Sequence, residues 1–155
     1  MKTKLLALCL ALLAPVAGFA DGTHAHGHTH TKKIAGPNQG RVLTGIEPRV
    51  ELFVTAERKL RLTFLDEAGK PVAPPAGASV TVITGDRAAP TTLSFAADGD
   101  ALLSTAALPE GGNLPAVVRI KAGAEAKLVT IRVQLNLAKC GECSRPEYAC
   151  VCEGH

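Results

Sequence analysis

The sequence predicts an all-β chain, an immunoglobulin-like antiparallel β-sandwich of about seven or eight strands with disordered ligand-rich tails. Three observations lead there. Apolar residues alternate with polar ones at period 2 in several short segments, turn residues separate those segments at regular intervals, and no stretch keeps a helical period. Histidine and cysteine, by contrast, collect at the two ends of the chain.

In RVELFVT, Val50, Leu52 and Val54 alternate with Arg49, Glu51 and Phe53, which predicts a strand with one buried face. KLRLTFL repeats the pattern with Leu60, Leu62 and Phe64 opposite Arg61 and Thr63. ASVTVIT presents Val80 and Val82. TTLSFAA and ALLSTAA flank Asp98-Gly99, a pair suited to a tight hairpin. AVVRIKA sets Val118 and Ile120 against Arg119 and Lys121, and LVTIRVQLNL sets Val129, Ile131, Val133 and Leu135 against Thr130, Arg132 and Gln134. Asp66 to Lys70, Pro74 to Gly77, Pro109 to Gly112 and Ala122 to Ala124 are the breaks between them. Roughly 105 residues of this kind, 34–138, form the predicted body.

Residues 1–20 have the layout of a secretory signal peptide: Lys2 and Lys4, an apolar run from Leu5 to Ala14, and a small-x-small site ending at Ala20. The run is broken at Pro15 and is shorter than a spanning helix requires, so the expectation is cleavage near Ala20, no stable membrane anchor, and a periplasmic or secreted product. Cleavage removes two of the 17 basic residues and one of the five cysteines, leaving charge near balance against 14 acidic residues. That balance offers no electrostatic basis for nucleic-acid binding.

The body carries neither cysteine nor histidine, which excludes Ser-His-Asp and Cys-His catalysis within it. Asp66, Glu67, Asp98 and Asp100 sit in predicted turns, where carboxylates are ordinary solvated residues. No enzymatic activity is expected there.

Residues 21–33, DGTHAHGHTHTKK, hold no apolar side chain larger than alanine and are expected to be disordered. His24, His26, His28 and His30 recur every second residue, so an extended backbone places their rings on one side about 6.5–7 Å apart. Imidazoles so placed suit Zn, Cu or Ni. At the other end, 139–155, Cys140 and Cys143 form C-x2-C, Cys150 and Cys152 form C-x-C, and His155 adds another donor.

Three chemistries compete for those four cysteines. Two thiolate pairs joined by a short loop can meet at one tetrahedral ion, Zn or Cu. In an oxidising compartment they can instead close as disulfides, such as Cys140 to Cys150 and Cys143 to Cys152. The C-x-x-C of Cys140-Gly141-Glu142-Cys143 also has the spacing of thiol oxidoreductases, although no helix is expected to activate it.

A His-rich exported segment followed by IAGPNQGRVL and EPRVELFVTAERKLRLTFLDEAGKPV resembles the small periplasmic segments that accompany heavy-metal efflux systems, including the His-rich leaders of their periplasmic adaptor proteins. The likeness covers about residues 24 to 72; the long helical hairpins of those adaptors have no counterpart here. It implies metal handling outside the cytoplasm through His24, His26, His28 and His30, with an efflux component or another envelope protein as partner. Gly36, Pro37, Asn38, Gly40 and Arg41 read as a turn entering the first strand.

The expectation is therefore an exported transition-metal-binding protein that captures, buffers or hands over Zn or Cu. Its rivals are an envelope interaction module with a disulfide-stapled C-terminus and a thiol oxidoreductase. Removal of residues 140–155 is expected to spare the body.

Overall fold

The computed structural model describes residues 34–152. The expected signal peptide 1–20, the His-rich segment 21–33 with His24, His26, His28 and His30, and His155 lie outside the described residues. Among the described residues nine strands form, β1 (Arg41–Leu43), β2 (Arg49–Val54), β3 (Leu60–Leu65), β4 (Pro71–Val72), β5 (Ser79–Gly85), β6 (Pro90–Asp98), β7 (Ala101–Ser104), β8 (Asn113–Lys121) and β9 (Leu128–Asn136), followed by one 3-10 turn, Glu147–Ala149.

All seven expected segments become strands, the five with period-2 alternation and the two that flank Asp98-Gly99. Their burial follows the pattern: along β8, Leu114, Ala116, Val118 and Ile120 are buried while Asn113, Pro115 and Arg119 are exposed. The core is built from such inward residues, with Val50, Leu52, Leu60, Leu62, Phe64, Val82, Leu93, Val118 and Leu135 fully enclosed. The two additional strands, β1 and β4, are only three and two residues long, too short to display a period.

The sandwich expectation is corrected by the pairing. Two stacked sheets would share no strand, yet the hydrogen-bonded path runs unbroken as β1-β2-β3-β7-β6-β5-β8-β9, with β4 beside β3, and every pairing in it is antiparallel. The strand that joins the halves is β6. Its first part, from Pro90 to Ser94, pairs with β5, and its second, from Phe95 to Asp98, pairs with β7. The sheet therefore curls into a nearly closed barrel. Alternation reports which face of a strand is buried, and both architectures bury one face of every strand, so periodicity could not separate them.

The seam of the barrel lies between the path's two ends, β1 and β9, and the 3-10 turn packs against both. This places the C-terminal segment in the body rather than beside it. Tyr148 and Ala149 belong to the same hydrophobic cluster as the strands. The expectation that the cysteine-rich tail 139–155 is disordered is thus also corrected for its described part, which a buried aromatic ring anchors in the core.

Two polar residues are buried against their pattern, Glu51 on β2 and its cross-strand neighbour Thr63 on β3. Glu51 alternates outward on β2 but is completely enclosed, because the turn from Gly36 to Gly40 folds over it. Its carboxylate accepts the backbone N–H of Asn38 (2.9 Å), the Asn38 side-chain amide (2.8 Å) and the Gly40 N–H (2.7 Å). The GPNQG stretch does enter β1 as a turn, and the carboxylate is what shapes it.

Candidate metal centre

The chain leaves β9 at Asn136, whose side chain accepts the Ala138 N–H at 3.1 Å. Residues 139–146 then close a small loop: Lys139 bridges Pro146, the Cys140 N–H donates to the Arg145 carbonyl (2.8 Å), and the Ser144 N–H donates to the Cys140 carbonyl (3.1 Å). Closure of so short a loop requires a left-handed residue, supplied by Ser144 at φ 58°. The loop holds Cys140 and Cys143 together.

Pro146 leads into the 3-10 turn, which returns the chain toward the loop. The Glu147 N–H donates to the Ala138 carbonyl (2.8 Å), and Cys150 follows the turn in an extended conformation, φ −63° and ψ 135°. In extended backbone, residues two apart project to one side. The C-x-C spacing of Cys150 and Cys152, unusual for a zinc ribbon, is accounted for in this way: an extended strand uses i and i+2 as the loop uses i and i+3.

The result is a cluster in which one sulfur from each of Cys140, Cys143, Cys150 and Cys152 lies within 4.8 Å of all the others. Cys150 Sγ stands 3.4 Å from Cys140 Sγ and 3.8 Å from Cys143 Sγ. A disulfide would bring two sulfurs to about 2.05 Å. No disulfide joins any of the four, so the pairing of Cys140 with Cys150 and of Cys143 with Cys152 as a covalent staple is corrected. Four sulfurs at about 2.3 Å from one tetrahedral ion are separated by about 3.8 Å, which is the scale observed. The cluster can hold a metal ion.

Its electrostatics fit a cation as well. The Arg145 N–H donates to Cys143 Sγ and lowers that thiol to about 7 against the cost of burial. The Cys152 N–H donates to Cys150 Sγ at 3.4 Å and pulls that thiol down too, but burial together with Cys140 and Cys143 outweighs it and the net shift is upward. Cys152 is raised by Cys150 first, then by burial. Both N–H donors stand two residues after the sulfur they reach. Crowded thiols of this kind cannot all ionise alone, whereas a coordinated cation deprotonates its thiols outright.

The sites differ in access. Cys140 and Cys150 are buried, while Cys143 and Cys152 are partly exposed. The C-x-x-C pair lies in a turn and not at a helix N-terminus, the position that activates an oxidoreductase cysteine. The turn carboxylates are dispersed: Asp98 pairs with Arg61 at 2.6 Å, and Asp66 accepts the Lys70 N–H at 2.8 Å within its own turn.

Tyr148 is the residue whose part was missed. Its hydroxyl accepts the backbone N–H of Val54, at the end of β2, at 2.9 Å, and its ring is buried. The available signal was position: the chain's one tyrosine stands between the two cysteine pairs. Comparison with protein-family models, curated proteins and solved structures returned no match.

Proposed function

We propose that this chain is a metal-binding protein of the cell envelope whose Cys140, Cys143, Cys150 and Cys152 coordinate one tetrahedral Zn(II). The mutual approach of the four sulfurs within 4.8 Å, without a disulfide, carries the reading. A four-sulfur tetrahedral set matches zinc or a mononuclear iron, whereas Cu(I) is satisfied by fewer thiolates. Polynuclear iron–sulfur clusters attach their cysteines to different irons and need them farther apart.

In this reading His24, His26, His28 and His30, toward the N-terminus, collect ions, with His155, three residues after Cys152 in the sequence, as an exchangeable donor. The partly exposed Cys143 and Cys152 form the edge at which ligands exchange, so the ion is taken up, buffered or passed to an efflux component by substitution of one donor for another. No turnover is involved.

The test is a titration of the reduced, tag-free protein with Zn(II), with Co(II) as a spectroscopic substitute. One equivalent bound by the cysteines, with sulfur-to-cobalt charge-transfer bands and the intense d–d bands of a tetrahedral site, is the expected result. Replacing the four cysteines by serine should abolish that equivalent, and replacing the four histidines by alanine should reduce only the additional capacity. Reduced protein that retains no Zn(II) or Co(II) at the cysteines overturns the proposal.

A further inference from the structure

We infer that the ion is a clasp for the barrel, so that occupancy of the four-cysteine site and closure of the seam between β1 and β9 are one equilibrium. This rests on the metal-binding reading above and adds what the ion does once bound.

The first observation is topological. The strand path has two ends, and the 3-10 turn Glu147–Ala149 packs on both. In the chain that turn lies between Cys143 and Cys150, so the segment that spans the seam is also the segment enclosed by the four ligands. The second is burial. Tyr148 and Ala149 are 3% and 2% exposed and belong to the main core cluster, and Cys140 and Cys150 are buried as well, at 2% and 0%. The third is the hydrogen bond from the Val54 N–H to the Tyr148 hydroxyl, which satisfies a backbone donor at the end of β2.

What holds this segment is modest without an ion. A three-residue 3-10 turn and the isolated bridge between Lys139 and Pro146 are its regular structure among the described residues. Ordering such a stretch costs conformational entropy at every residue, and one aromatic ring, one alanine, two buried thiols and a few short-range hydrogen bonds are modest to set against it. An ion joining Cys140 and Cys143 to Cys150 and Cys152 closes the loop in both directions and removes much of that freedom from the undocked chain, as a covalent cross-link would. Linkage then requires reciprocity: whatever weakens docking of Tyr148 must weaken the ion's affinity by the same factor.

The chain supplies its own reporter, since it has one tyrosine and no tryptophan. The experiment uses the reduced full-length protein and Zn(II) alone, read by Tyr148 fluorescence and by hydrogen exchange at the Val54 amide, with zinc affinity measured in parallel by competition with a chelator. The expected result is a saturable Tyr148 change and at least about tenfold greater protection of Val54 at one equivalent. The Tyr148→Ala protein should bind Zn(II) at least about tenfold more weakly although Tyr148 is not a ligand. Tyr148→Phe keeps the ring and should lie between the two.

The wild-type measurements stand even if Tyr148→Ala fails to fold. One equivalent of Zn(II) bound with Tyr148 and Val54 unchanged, and with Tyr148→Phe equal to wild type in affinity, overturns the clasp while leaving the metal-binding reading intact. Absence of bound Zn(II) overturns both.

Discussion

The Gly40 N–H points into the carboxylate of Glu51 at 2.7 Å, and Gly36 closes over the same group so tightly that a side chain there would collide with its carboxyl carbon. A buried acid that accepts three N–H groups from one turn is not interchangeable with its amide, because a glutamine offers donors where the turn already supplies them. Glu51→Gln should destabilise the barrel by about 2–3 kcal/mol in urea unfolding, and Glu51→Ala by about 3 kcal/mol, since three donors would be left without a buried acceptor. A loss below about 0.5 kcal/mol for both would show that the turn finds other partners.

The glycines around this carboxylate differ from Gly141 in the cysteine loop. Alanine at Gly36 meets the Glu51 side chain and alanine at Gly40 meets the Leu52 carbonyl, whereas the same change at Gly141 meets nothing within 4 Å. Gly36→Ala and Gly40→Ala should each cost more than about 1 kcal/mol by overpacking. Gly141→Ala should leave zinc stoichiometry and thermal midpoint unchanged. Thermal melts of the three variants side by side check this.

Arg61 and Asp98 form a 2.6 Å ion pair across β3 and the end of β6, but their side chains are 35% and 46% exposed. Solvent and salt screen such a pair, so Arg61→Ala and Asp98→Ala should each change stability by less than about 1 kcal/mol, with no extra coupling in a double-mutant cycle beyond about 0.5 kcal/mol. The contrast with Glu51 separates a surface pair from an enclosed acceptor.

Burial holds the Tyr148 phenol above its ordinary value, with the nearby Glu51 charge adding to the effect and the Val54 N–H opposing it. A group whose folded value is raised contributes stability that is complete below its unfolded value, about 10, and is lost as pH rises through the folded value. Stability should therefore fall above about pH 10 in a way that Tyr148→Phe removes. Unfolding midpoints measured between neutral and alkaline pH for the two proteins test it; parallel curves would contradict it.

Much of this was legible along the chain. Alternation at Val50, Leu52, Leu60, Leu62, Val118 and Ile120 identified strands because side-chain direction in extended backbone is a local property. The cysteine spacing identified a cluster because a loop of i, i+3 and a strand of i, i+2 each gather two sulfurs without help from the rest of the fold. Glu51 was misplaced for the opposite reason: alternation gave its side of the strand, but what covers that side is the turn at Gly36 to Gly40, more than ten residues away.

By itself the sequence determined an all-β body, its seven longer strands and the set of four thiols, all of which follow from patterns within a few residues. Tertiary structure decided that β6 would belong to both halves and curl the sheet into a barrel, that the sulfurs would converge without disulfides, and that Tyr148 would carry the cysteine segment into the seam. Those outcomes depend on which distant strands pair and which surfaces must be covered, and hydrogen-bonded ladders and burial between remote segments are settled only when the whole chain folds.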